Sequence, residues 1–236
     1  MKIKVLASGS SGNAYVIEHG GSQFLLECGL SVRRLKKATN FGLSGMDFCL
    51  VTHEHGDHAK AAADLMKAGI DVYMSQGTAG ELGLSGHRLK IVRAQEIFSV
   101  GEWVIKPFES IHDAAEPLNY LIANGGEKLV YLTDTAYCPY LFTGLTRIMI
   151  EANHDWDILR EKDIHPALKK RVMRSHMSID TVLGFFRAND LSQVKEIWLL
   201  HLSDSNADEE GFRRRVQEET GIPTYQYPAR VGGSEL

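Results

Sequence analysis

Apolar residues over the first thirty positions fall into short runs, KIKVLAS, AYVIE and QFLLEC, separated by Gly, Ser and Asn. Runs of that length between turn residues predict three strands. The period then changes. VRRLKKAT predicts a helix, MDFCLVT a short buried strand, and AKAAADLMKAG a helix closed by Gly69. IDVYMS reads as a strand, GTAGELG as a helix, and EIFSV, WVIKPFES, LNYLIAN and KLVYLTD as a second strand-rich half. The remainder mixes helical and strand patterns in YCPYLFTGL, RIMIEAN, PALKKRVMRSH, SIDTVLGFFRAND, VKEIWLLHL and DEEGFRRRVQEET.

Two strand-rich layers with helices over both outer faces are the natural packing of such a chain, which makes it an α/β protein. No repeat, low-complexity tract or Pro-rich linker divides it, so residues 1–236 are expected to form a single domain, with the small polar tail ARVGGSEL frayed. Hydrophobic residues make up 44% of the chain, enough for a large core. The net charge of −4 excludes a protein that coats nucleic acid or membrane by bulk charge. Cys28, Cys49 and Cys138 are odd in number and widely spaced, which suggests neither a disulfide framework nor a zinc ribbon. Gly and Ser arrive too early for a signal-peptide core and no apolar stretch could span a bilayer, so a cytoplasmic protein without a membrane partner is expected. Oligomeric state is left open.

The chemistry concentrates in VTHEHGDH, residues 51–58, where a strand ends and a helix begins. His53 and His55 flank Glu54, so both rings can point the same way, while Asp57 and His58 face a neighbouring point. Imidazole and carboxylate suit zinc and similar divalent cations, and one loop could thus address two of them. Further partners stand after later apolar runs: His112 in SIHDAAE, Asp134 in YLTDT and His201 in LLHLSD. Singly, these read as a loop histidine, a helix N-cap and a core histidine. Together they supply what the first loop lacks.

The order His-x-His-x-Asp-His, then His, Asp and His, resembles the metallo-β-lactamase superfamily from residue 53 to residue 201. The resemblance implies a four-layer αβ/βα sandwich with a dinuclear site on one sheet edge. It places His53, His55 and His112 on one metal, Asp57, His58 and His201 on the other, and Asp134 between them. The cofactors implied are two divalent ions per chain, zinc or manganese, with iron accepted by the same donors. Two such ions share a water, make a bridging hydroxide at neutral pH and stabilise charge on the attacked group, so hydrolysis is expected. Asp134 stands where zinc lactamases commonly carry cysteine, which favours esters or phosphodiesters.

IMIEANHD and RSHMSID resemble the Glu and His motifs of tRNase Z. On that resemblance His176 donates a proton to the leaving alcohol and Glu151 orients it, so that Asp57, His176 and Glu151 are the candidate catalytic residues. Asn153 replaces the family's threonine, and the long arm that grips tRNA is missing. ASGSSGN, HDAAEPLNY, TDTAY, EANHD, SHMS and HLSD together resemble the WalJ/YycJ branch over nearly the whole chain. That implies a phosphodiesterase, most simply an exonuclease on DNA or RNA, with nucleic acid as the partner.

Candidate substrate contacts are Ser10 and Asn13 in SGSSGN, whose small residues serve equally as a tight turn, then Asn153, His154 and Ser178, the last also an N-cap. KKRVMRSH adds Lys169, Lys170, Arg171 and Arg174, of which Lys170 and Arg174 are taken as phosphate contacts, a solvated helix face being the commoner meaning of such a run. Two other readings stand beside the nuclease. One is a hydrolase of a small ester, thioester or cyclic nucleotide; the other is a metal-bearing sensor or adaptor.

Overall fold

Strand alternation gives each of two sheets an apolar inner face, and the two faces meet. The computed structural model describes residues 1–163, 165–203 and 206–227. In the first sheet β1 (Lys2–Ala7), β2 (Ala14–His19) and β3 (Ser22–Leu26) form an antiparallel meander. Helix α1 (Val32–Ala38) leads to β4 (Phe48–Leu50), which pairs parallel to β3. Helices α2 (Gly56–Ala59) and α3 (Ala62–Lys67), strand β5 (Asp71–Met74), helix α4 (Gln76–Glu81) and strand β6 (Leu89–Ile91) complete a sheet ordered β1-β2-β3-β4-β5-β6.

The second sheet repeats the plan. Strands β7 (Phe98–Val100), β8 (Trp103–Glu109), β9 (Leu118–Asn124) and β10 (Glu127–Leu132) meander. Strand β11 (Arg147–Glu151) joins β10 in parallel. Helices α5 (Trp156–Glu161), α6 (Pro166–Ser175) and α7 (Ile179–Ala188) lead on to β12 (Glu196–Leu200), and α8 (Glu209–Thr220) leads to β13 (Thr224–Gln226). Its order is β13-β12-β11-β10-β9-β8-β7. Phe24, Phe48, Trp103, Ile105, Tyr120 and Tyr131 belong to the core between the sheets. Leu35 and Leu65 tie α1 and α3 to the outer face of one sheet, and Val182, Phe186, Phe212 and Val216 tie α7 and α8 to the other. This is the four-layer sandwich expected from the sequence.

Local departures have physical causes. The run AKAAADLMKAG is broken, because the Ala61 amide turns aside to bond the Cys28 carbonyl at 2.9 Å, and Gly69 ends the second piece with φ +90°. YCPYLFTGL forms neither helix nor strand; Phe142 and Leu145 are buried against the sheet without periodic structure. β6, β13 and α5 are too short for a period to show. The tail ARVGGSEL lies outside the described residues. Among the described residues no helix is long and apolar enough to cross a membrane.

Trp103 is the fulcrum of the inter-sheet core. Its ring meets Phe24 edge-on at 4.8 Å, and its indole N–H donates to Ser22 Oγ at 2.7 Å. Trp103→Ala is expected to lower unfolding free energy by about 3–5 kcal/mol in urea titration, whereas Val104→Ala, on the outward-facing next position, changes it by less than about 0.5 kcal/mol.

Candidate metal centre

The parallel strands of both sheets end at one edge of the sandwich, the usual place for a site in open α/β sheets. The loop after β4 carries His53 and His55 and helix α2 carries Asp57 and His58; His112 follows β8, Asp134 follows β10, Glu151 ends β11, and His201 follows β12. Asp134 (φ 44°) and His201 (φ 49°) are in left-handed conformation, as is Glu27 (φ 65°) after β3. Non-glycine residues adopt it at some energetic expense, and here it turns buried polar side chains back toward the edge.

All seven expected ligand residues converge. His53 Nε2 stands 3.0 Å from His55 Nδ1, which stands 3.2 Å from His112 Nε2. Asp134 Oδ2 is 3.5 Å from His53 Nε2, 3.3 Å from His112 Nε2 and 3.4 Å from His58 Nε2. Asp57 Oδ2 is 3.4 Å from His58 Nε2 and 3.3 Å from His201 Nε2. Four donors placed about 2.0–2.1 Å from one zinc ion in a tetrahedron stand about 3.3 Å apart, the spacing found here. Hydrogen bonds alone cannot satisfy three ring nitrogens that face one another, whereas a shared cation can. The donors form His/Asp clusters consistent with a dinuclear site, and one oxygen of Asp134 reaches both sides.

Buried partners set the rings. His112 Nδ1 faces the Ser175 carbonyl at 2.9 Å, which can only accept, so that nitrogen carries the proton and Nε2 presents its lone pair. His53 Nδ1 meets Thr52 Oγ1 at 2.9 Å. His58 Nδ1 faces Glu27 Oε1 at 3.4 Å, and Glu27 Oε2 accepts from the Thr52 amide at 3.3 Å. Sequence reasoning missed Glu27; its only signal is an acid at the end of the apolar run QFLLE. Gly29 is dictated by close approach, since a Cβ there would lie 1.7 Å from the Asp57 carbonyl oxygen.

Charge at the site is balanced between acids and rings. Burial opposes ionisation of Asp134, yet His201, His58 and His53 hold its carboxyl well below the usual range. Burial likewise opposes protonated His201, but Asp134, Asp57 and Glu151 raise it to about 10. Divalent cations would take over the balancing that protons perform here.

Glu151 and His176 meet as expected, with Nδ1 2.5 Å from Oε1. Glu151 is buried, and its other oxygen accepts from the Thr135 amide at 3.1 Å. Burial disfavours the charged His176 ring, but Glu151 outweighs it and raises the pKa. His176 shares a pocket of about 230 Å³ with Ser10, His55, Asp57, His112, Asp134, Leu168, Arg171, Val172 and His201.

The candidate substrate contacts divide. Ser10 lines the pocket. Asn13 does not: it is buried, accepts from the Gly9 amide and the Tyr15 hydroxyl, and directs Nδ2 at the Asp57 carbonyl, so SGSSGN is a turn that braces Asp57. Asn153 is spent on the His201 carbonyl at 3.1 Å. His154 is buried edge-on to Trp156, and burial lowers its pKa to about 4. Ser178 caps α7 through the Thr181 amide. Lys170 and Arg174 are exposed and outside the pocket lining, because the helical period turns Leu168, Arg171 and Val172 toward the pocket instead.

Residues 22–201 match the profile of the beta-lactamase superfamily domain. The chain is 32% identical over 222 residues to exodeoxyribonuclease WalJ of Streptococcus pneumoniae, covering 87% of this chain and 82% of that one. It is 30% identical over 238 residues to exodeoxyribonuclease YycJ of Bacillus anthracis, covering 92% and 88%. The metallo-β-lactamase fold protein YhfI of Bacillus subtilis superposes with a TM-score of 0.73 at 15% identity, covering 95% of each chain. The chain belongs to the metallo-β-lactamase superfamily. It is a metal-dependent hydrolase of that family.

Glu27→Gln keeps the shape and removes the charge behind His58. It is expected to weaken zinc binding by about 10- to 100-fold in chelator competition, with an unchanged circular dichroism spectrum.

Proposed function

We propose that the protein is a two-metal phosphodiesterase acting on DNA as an exonuclease. In this reading His53, His55 and His112 would hold one ion and Asp57, His58 and His201 the other, with Asp134 facing both groups. Bound there, the pair would supply an acidified water as nucleophile and neutralise the phosphate oxygens. Neither act protonates the leaving alcohol.

His176 fills that gap, and its pairing with Glu151 beside the metal-facing rings is the observation that carries the reading. Glu151 fixes Nδ1 as the protonated nitrogen and stabilises the imidazolium, leaving Nε2–H to be delivered to the departing oxygen. A hydrolase of activated acyl groups has less use for such an acid. DNA as substrate is supported by the names of the two relatives, both exodeoxyribonucleases over most of their length.

The test uses protein loaded with zinc or manganese, end-labelled single- and double-stranded DNA and RNA, and bis-p-nitrophenyl phosphate. Stepwise release of mononucleotides from DNA is expected. Turnover of the small diester with intact nucleic acids would give the site to a small phosphodiester, and inertness toward all of them would favour a sensor. His176→Ala is expected to retain both metals and lose about 10²–10⁴-fold in kcat on DNA, with far less loss on the p-nitrophenyl ester, whose leaving group needs no proton.

A further inference from the structure

The pocket beside the metal-facing cluster has a wall that the hydrolytic scheme leaves unused. Helix α6 contributes Leu168, Arg171 and Val172 to it, the i, i+3, i+4 set of one helix face. Arg171 is the cation of this set. Its Nε donates to Asp113 Oδ2 at 2.7 Å, and the other oxygen of the same carboxylate stands 3.5 Å from His112 Nε2, a ring nitrogen of the cluster. A single carboxylate therefore spans the distance from the guanidinium to the metal-facing rings. A phosphate offers two oxygens of like charge at nearly the same separation.

We propose that Arg171 binds a non-bridging oxygen of the scissile phosphate and that Asp113 holds this place in the free protein. The identity of the anion rests on the phosphodiesterase reading above. The side chains of Arg171 and Asp113 are 59% and 44% exposed, and exposed ion pairs are held weakly, so the carboxylate is easily displaced. Guanidinium offers forked donors matched to phosphate geometry, which favours the exchange. Asp113, partly in water already, can turn outward without being stranded. The neighbouring Lys169 does not compete, because its ammonium is engaged with the Arg160 carbonyl at 2.8 Å. Arg171 would then meet the charge that builds on the phosphate oxygens, from the side away from the metals.

The two residues should act with opposite sign on one measurable quantity. Inorganic phosphate is titrated calorimetrically into the zinc-loaded wild-type protein, Arg171→Ala, Arg171→Lys, Asp113→Asn and the Asp113→Asn/Arg171→Ala double variant, with zinc content measured on each. Loss of the charge-assisted bond should weaken phosphate binding by about 10- to 100-fold in Arg171→Ala. Arg171→Lys should fall between, Asp113→Asn should bind phosphate more tightly than wild type, and the double variant should match Arg171→Ala. Wild-type affinity in Arg171→Ala, or weaker binding in Asp113→Asn at full zinc content, would overturn the proposal. The titration requires no turnover. Phosphate held through Arg171 by a protein that cleaves no diester would cost the functional reading and leave Arg171 as an anion site exchanged with Asp113; diester cleavage with phosphate binding indifferent to Arg171 would overturn the Arg171 proposal and keep the functional reading.

Discussion

A buried carboxylate organises this protein's site. Asp134 sits in a left-handed turn at the end of β10, shielded from water, with one oxygen within 3.5 Å of His53, His112 and His58. An ionised carboxylate in that position is tolerated only if positive charge surrounds it. Protonated His58 and His201, which Asp134 favours, supply some of that charge, and divalent cations would supply more. The segments after β4 and β8, far apart in the chain, bring His53, His58 and His112 to this oxygen, and His201 after β12 meets the other.

The two sheets share the work unevenly. The first provides the loop after β4 and, through Glu27 and Asn13, the braces behind His58 and Asp57. The second provides Asp134, His201 and the Glu151/His176 pair, at the ends of adjacent parallel strands and at the C-terminus of α6. The metal-facing donors thus come from both sheets, whereas the Glu151/His176 pair belongs to the second. α6 also lines the pocket, so the helix that ends at His176 is the helix that forms one of its walls.

Features set by local spacing were legible in the sequence. HEHGDH carries its meaning within a single loop, and His112, Asp134 and His201 each come after an apolar strand that points them to the same edge. The meander strands and the amphipathic helices showed for the same reason. Features set by tertiary placement stayed hidden. Glu27 is one acid after an apolar run until the fold sets it against His58, and Asn13 resembles a phosphate cradle until its amide meets Asp57. Within KKRVMRSH four cations look alike; only the packing of α6 selects Arg171 for the pocket and leaves Lys170 and Arg174 outside its lining. Short edge strands such as β6 and β13 carry too few residues to show a period.

The Asp134 oxygen shared between two ions is the central claim, and anomalous diffraction from zinc-loaded crystals tests it most directly. Two anomalous peaks per chain are predicted, one among His53, His55 and His112 and one among Asp57, His58 and His201, both within bonding distance of Asp134. A single peak, or two ions neither of which touches Asp134, would contradict it.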